Sequence, residues 1–226
     1  MPDRLTRAFL ARPVLEVAPG LLGCTVSHAG VTVRLTEVEA YDGSNDPGSH
    51  AFRGPTSRTQ VMFGEAGGLY VYFTYGMHWC ANLVCGQVGV ACAVLLRAGE
   101  VVAGIDEARR RRAGASRRVG VLDRDLARGP ARLAMALALA RDQNGIDTVA
   151  ADSPFVVRRA RSPVPGPAAA ASNGTVRTGP RVGVSGPGGD PATYPWRFWL
   201  DGEATVSAYR SATVRRSKPA VGPGER

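Results

Sequence analysis

The chain has 226 residues, 44% hydrophobic and 21% charged, with a formal net charge of +9 and an isoelectric point near 10.1. That length suits one folded domain and the apolar fraction is ample for a core, which excludes global disorder. No apolar run approaches the ~18 residues needed to cross a bilayer, and Met1-Pro2-Asp3-Arg4-Leu5 lacks the basic-then-apolar pattern of a secretory signal, so a cytoplasmic location without membrane contact is expected.

The positive charge points to a polyanionic partner, because basic surfaces gain from counterion release on nucleic acid. Part of it is gathered in Arg109-Arg110-Arg111-Arg112, Arg117-Arg118 and Arg215-Arg216-Lys218, which read as solvated faces and a loose end. Lys218 is the only lysine. Schiff-base chemistry needs an amine in a pocket, and the one other candidate, the Pro2 amine after loss of Met1, has no pocket-forming sequence behind it. Cys24, Cys80, Cys85 and Cys92 form no CxxC pair and complete no zinc spacing with His28, His50 and His78. Reduced structural cysteines, no metal and no organic cofactor are therefore expected.

In chain order, Leu5 to Leu10 reads as a short helix stopped by Pro13, and Leu15 to Leu22 as a second, weakened by Pro19 and Gly20. Cys24 to Ser27 and Val31 to Val38 read as strands around the turn His28-Ala29-Gly30. Strict alternation along the second strand puts Val31, Val33, Leu35, Glu37, Glu39 and Tyr41 on one face, as if the strand left the core and opened into a cleft. Asp42 to Gly67 is a long Gly-, Pro-, Ser- and Asn-rich segment carrying His50, Arg53 and Arg58, and such length means function or disorder. Leu69 to Thr74 and Ala81 to Cys85 read as strands joined through Tyr75-Gly76-Met77-His78-Trp79; Ala91 to Arg97 reads as a central, nearly all-apolar strand with Arg97 at its exit. A helix is expected from Gly99-Glu100 through Arg112, acidic at its start and basic at its end as the macrodipole favours, and another over Pro130 to Gln143. A flexible Pro- and Ala-rich insertion is expected at about 160–177, and Arg181 to Val184 and Trp196 to Leu200 read as closing strands. Residues 1–210 then form one domain, and 211–226 a basic, disordered tail.

Two segments carry chemistry. In Glu37-Val38-Glu39-Ala40-Tyr41 a carboxylate can take a proton from an attacking water and stabilise positive charge on a sugar, the two needs of glycosidic hydrolysis. Alone, two strand-end glutamates are more often surface charges. The run Tyr70 to Trp79 sets Tyr70 and Tyr72 against Val71 and Phe73, and puts Tyr75 and Met77 in a turn, where bulky side chains have little structural purpose. Such side chains serve as wedges between base pairs and as stacking faces for flipped bases; alone, an aromatic core patch is the commoner explanation.

Together these segments resemble the alkyladenine (3-methyladenine) DNA glycosylases of the single-domain type. The resemblance covers roughly residues 7 to 210. It rests on Arg12-Pro13 with Leu21-Leu22-Gly23, on Glu37-Val38-Glu39-Ala40-Tyr41 followed by His50, on Met62-Phe63, and on Leu69-Tyr70-Val71-Tyr72 through Tyr75-Gly76-Met77 to Asn82. Further matches are Val94-Leu95-Leu96-Arg97-Ala98, Gly129-Pro130, Gly179-Pro180-Arg181-Val182-Gly183 and Pro195-Trp196-Arg197-Phe198. His78 departs from the vertebrate pattern, which has an aromatic residue there.

The resemblance implies an α+β fold: a single domain with a curved, mostly antiparallel sheet, flanking helices and a protruding β-hairpin, similar to a small domain attached to a formyltransferase. It implies Glu39 as general base and Arg97 as its partner in holding the catalytic water. It implies a base pocket of Tyr41, His50, Tyr72 and Asn82, with Tyr75, and Met77 beside it, at the intercalating tip. Arg53 and Arg58 are expected at DNA phosphates from their charge alone. The expected partner is double-stranded DNA with damaged purines, bound by a monomer with no obligate protein partner. A non-catalytic damaged-DNA-binding module of the same fold is the competing reading, and an RNA-directed enzyme a third.

Overall fold

The structure is a computed structural model that describes residues 4–74, 76–114, 120–160 and 174–212. In chain order it contains helices α1 (Arg7–Leu10) and α2 (Val14–Gly20), strands β1 (Thr25–His28), β2 (Val31–Asp42), β3 (Leu69–Thr74), β4 (His78–Cys85) and β5 (Cys92–Ala103), helix α3 (Ile105–Ala113), strand β6 (Ala127–Arg128), helix α4 (Pro130–Ala136), and strands β7 (Val156–Arg158), β8 (Val176–Gly179) and β9 (Arg197–Leu200). This is the expected α+β arrangement, one domain around an open antiparallel sheet. The sheet runs β3-β4-β5-β2-β1-β7, with β6 joined to β5 and β8–β9 attached to β2. No helix among the described residues is long and apolar enough to cross a membrane.

Strand β2 is the hub. One edge pairs with β5 along nearly its whole length; the other pairs first with β1 and then, at Glu37–Glu39, with β9. Its β-branched residues Val31, Thr32, Val33, Thr36 and Val38 favour the extended backbone. Three irregularities interrupt the β2–β5 ladder, one between Thr32 and Val33 and two opposed ones on either side of Glu37. Leu35 faces Gly99 and Glu37 faces Ala98, which leaves Thr36 as an extra residue on β2; Val38 then faces Leu96, which leaves Arg97 as an extra residue on β5.

An extra residue inverts the alternation of everything after it. Val31, Val33 and Leu35 point into the core, but beyond the irregularity Val38 and Ala40 do so. The expectation that Glu37, Glu39 and Tyr41 share a face with Val31, Val33 and Leu35 is therefore corrected: they lie on the opposite face. The bulges turn both carboxylates away from the core and aim Glu39 into the cleft.

The main core lies between the sheet and helices α2 and α4, where Leu35, Val38, Leu83, Val94 and Leu96 meet Val17, Leu133 and Leu137. Each buried leucine contributes about 1.5–3 kcal/mol, an upper bound because unfolded chains also bury surface. A smaller cluster of Ala51, Met62, Tyr70, Val84, Ala91 and Ala93 anchors the long loop between β2 and β3. That cluster makes an ordered platform of a segment whose composition reads as irregular.

Four expectations are corrected. The segment Gly99–Ala103 extends β5, and the helix begins only after Gly104, whose φ of 74° breaks the extended run; its acidic start and basic end are where the macrodipole favours them. Helix α4 ends at Ala136, not Gln143, because the chain turns at Ala138 with φ of 51° and only a separate 3₁₀ turn covers 141–143. Residues 181–184 form no strand: Gly183 has φ of 73°, and β9 pairs instead with β8. Strand β4 starts at His78, not Ala81, because His78, Trp79 and Cys80 already pair with Thr74, Phe73 and Tyr72 of β3. The expected insertion lies largely outside the described residues, as does the tail beyond 212, while Val176 already belongs to β8.

Candidate active site

The face of the sheet exposed by the bulges opens into a cavity of about 400 Å³, within the size range of small-molecule sites. Glu39 and Tyr41 reach it from β2, Tyr70, Tyr72 and Thr74 from β3, His78, Cys80 and Asn82 from β4, and Leu95 and Arg97 from β5. Loops 47–50 and 182–185 and the start of α4 complete the lining.

Glu39 is fully buried. Its Oε2 accepts a hydrogen bond from the Tyr41 hydroxyl at 2.9 Å, its Oε1 one from the Val182 amide at 2.8 Å, and Arg97 Nε stands 3.5 Å from Oε1. Burial, and then the Glu39 carboxylate, raise the Tyr41 pKa well above the usual phenol value, so Tyr41 stays a donor. Burial disfavours the Arg97 cation, but Glu39 and Glu37 outweigh it and raise its pKa.

Glu37, also fully buried, does not line the cavity. Its Oε1 accepts from Arg97 Nε at 2.8 Å, Arg197 Nε at 2.6 Å and Ser207 Oγ at 3.0 Å, and its Oε2 from the Ser207 amide at 2.7 Å. Two guanidiniums and four hydrogen bonds offset the desolvation of this carboxylate.

The Tyr72 ring stacks on Tyr70 at 5.3 Å between centroids and receives the edge of His50 at 4.7 Å. Arg58 lies 5.1 Å over the same Tyr72 ring. Desolvation by burial of the ring, and then the Arg58 charge, press the His50 pKa down to about 4, although the residue keeps an exposed edge. The imidazole is neutral at pH 7. Asn82 is held by its Nδ2, which donates to the Tyr70 carbonyl at 3.2 Å. Cys80 is pushed up to about 11 by burial and behaves as a neutral wall.

Behind Tyr41 stands Arg181, 1% exposed, with its guanidinium carbon 4.5 Å from the ring centre. Arg181 does not line the cavity, so it supports the ring from the far side. Its Nη atoms donate to both oxygens of the buried Asp46 and to the carbonyls of Ala40 and Gly188. The clamp ties the end of β2 to the loop carrying His50 and to the loop carrying Val182. Gly48 permits this approach, since a Cβ there would come within 2.6 Å of Arg181 Nη2 and 2.8 Å of Val184.

The residues expected at the site mostly converge. Glu39, Tyr41, His50, Tyr72, Asn82 and Arg97 all line the cavity. Met77 is 65% exposed at the tip of the β3–β4 hairpin, where Phe73 is also exposed, while Tyr75 lies outside the described residues. Arg58 is exposed and stands at the rim beside Tyr72; Arg53 is exposed on the same loop, away from the lining. Sequence reasoning missed the roles of Asp46, Arg181, Val182, Arg197 and Ser207. Arginines within the apolar runs Gly179–Gly183 and Pro195–Phe198 were the available signal for two of them. No group of His, Cys, Asp and Glu among the described residues is arranged to hold a metal.

The chain is 52% identical over 223 residues to a protein of Streptomyces avermitilis, covering 96% of this chain and 98% of that one. It is 53% identical over 205 residues to one of Frankia casuarinae, covering 89% and 91%, and 43% identical over 204 residues to one of Burkholderia lata, covering 90% of each. All three are named, provisionally, as 3-methyladenine DNA glycosylases. Residues 8–204 match the methylpurine-DNA glycosylase (MPG) family, and the chain belongs to that family of DNA-repair glycosylases.

Proposed function

We propose that this glycosylase excises alkylated or deaminated purines (3-methyladenine, 7-methylguanine, hypoxanthine, ethenoadenine) from double-stranded DNA, and that Glu39 activates the water. The observation that carries this reading is a buried carboxylate, oriented by Tyr41 and Val182 and adjoining Arg97, inside an aromatic-walled cavity. The damaged nucleotide flips out of the stack at a cost of a few kcal/mol, least for damaged or mispaired bases. Tyr41 and Tyr72 sandwich the base, neutral His50 meets its edge, and Asn82 discriminates against the guanine amino group. A cationic alkylated purine gains from these aromatic faces. Tyr75 and Met77 fill the gap left in the duplex, and Arg53 and Arg58 contact phosphates without reading sequence.

Hydrolysis is a balanced displacement. The water oxygen, held by Glu39 and Arg97, bonds to C1′; its proton passes to Glu39. The C1′–N bond breaks with its electron pair leaving on the purine. A cationic purine departs neutral, whereas hypoxanthine needs a proton as it leaves. No lysine lies among the described residues, so none of them supplies an amine to form an imine, and the abasic strand is expected to stay intact.

The test is single-turnover base release from duplexes carrying hypoxanthine or ethenoadenine, alongside methylated DNA. Glu39→Gln should lose roughly 10²–10⁴-fold in rate while retaining DNA binding. A wild-type rate in that variant would sink the assignment of Glu39, and strand nicking with borohydride trapping would sink the monofunctional reading. Tight binding without release by the wild type would favour a non-catalytic binding module.

A further inference from the structure

We infer that Glu37 is a positioning residue for this reaction: it holds the Arg97 guanidinium back from Glu39, leaving Glu39 with acceptor sites for the attacking water. The inference rests on the reading of Glu39 as general base. Glu37 neither lines the cavity nor has exposed surface, so it cannot touch substrate. It acts on the one group that borders both carboxylates. Arg97 Nε carries a single hydrogen, and that hydrogen goes to Glu37 at 2.8 Å, not to Glu39 at 3.5 Å.

The count of acceptor sites shows why this matters. A carboxylate offers about four lone-pair sites. On Glu39, Tyr41 and Val182 take one each. A guanidinium closing on Glu39 in the bidentate fork it prefers would take two more. Nothing would remain for water or for the positive charge growing on the sugar.

Glu37 is built to win that competition. Arg197 and the Ser207 hydroxyl share Oε1 with Arg97, and the Ser207 amide holds Oε2, so three donors besides Arg97 fix the carboxylate in place. The paired bulges leave Thr36 and Arg97 out of the β2–β5 ladder on either side of Glu37. Thr36 is itself held in place by Thr205 at 2.9 Å. Among the described residues no hydrogen bond occupies the Arg97 Nη atoms, so they are free to join Glu39 in holding a water.

The test is a double-mutant cycle of Glu37→Gln, Arg97→Gln and the pair together. Single-turnover base release is read beside the Kd for duplex containing a tetrahydrofuran abasic analogue. Glu37→Gln should slow release by roughly 10- to 100-fold, the cost of a displaced catalytic group, with Kd unchanged to within about twofold. In the Arg97→Gln background the same substitution should add nothing, because its effect runs through Arg97. Should Glu37→Gln fail to fold, the double variant still decides, since it removes one charge of each sign.

A wild-type rate in Glu37→Gln, or a double variant slower than Arg97→Gln by the full single-mutant factor, overturns the inference. Loss of release in Glu39→Gln with a wild-type Glu37→Gln removes the positioning role alone. Retained release in Glu39→Gln removes the general-base reading, and this inference with it.

Discussion

Beneath the cavity, Glu37, Glu39, Asp46, Arg97, Arg181 and Arg197 are each no more than 7% exposed and pair three negative with three positive charges. Around the cavity mouth and on the hairpin, Arg58, Phe73, Met77 and His78 are exposed, and ring contacts are the main ties there. Four of the buried set stand on β2, β5 and β9, the Asp46–Arg181 pair ties two loops to β2, and the set is complete before substrate arrives, as catalysis by preorganised charge requires. The rim sits on a hairpin tip and a long loop, where DNA itself can supply the missing partners. Disturbing the first set should cost stability and rate; disturbing the second should cost affinity.

The largest effect expected in the folded state is at Asp46. Asp46→Ala strands the Arg181 guanidinium, and removing one partner of a buried pair costs about 3–5 kcal/mol. Urea unfolding measures it; a loss under about 1 kcal/mol would mean that Ala40 and Gly188 suffice to hold Arg181. Less is at stake at the aromatic wall. Tyr72→Leu should weaken binding to DNA carrying a flipped-out base by about 1–3 kcal/mol while leaving affinity for undamaged duplex unchanged, a split visible in parallel titrations. Equal losses on both would place Tyr72 on the DNA-binding face, outside the base pocket.

Arg58→Ala should be smallest and has two readouts. The log–log salt slope of binding should fall by about one phosphate contact. The His50 pKa should rise from about 4 toward, but not to, the ordinary histidine value, because burial is the larger cause and remains. NMR titration of the imidazole reads this directly. The sign follows from linkage: the folded state holds His50 neutral between its depressed pKa and the unfolded value, so this stability is complete above the unfolded pKa and fades as pH falls toward about 4. A His50 midpoint unmoved by Arg58→Ala would separate the two side chains and leave Arg58 to phosphate alone.

The composition of the site was legible early because its residue types are unusual where they stand. A carboxylate closing an apolar strand at Glu39, an arginine ending another at Arg97, and tyrosines on one face of β3 each have a commoner structural explanation alone, and only together, as a family pattern, do they point to a site. The exception is instructive. Alternation placed Glu37, Glu39 and Tyr41 with the core-facing valines, and they proved to face away from them. Gly99–Ala103 was read as the first turns of a helix by its charge pattern, yet pairing with β2 extends it as strand.

The amino-acid sequence by itself carried the family pattern and, through that resemblance, the class of fold and the side chains proposed for the chemistry. Only the tertiary structure decided which face Glu39 uses, which carboxylate binds Arg97, and what supports Tyr41. The bulges depend on how β2 and β5 register against each other, a choice no window along one strand contains. Arg181 finds Asp46 across 135 residues of chain, and the Val182 amide finds Glu39 across 143. A buried charge is stable only beside its partner, and the partner is chosen by the packed fold.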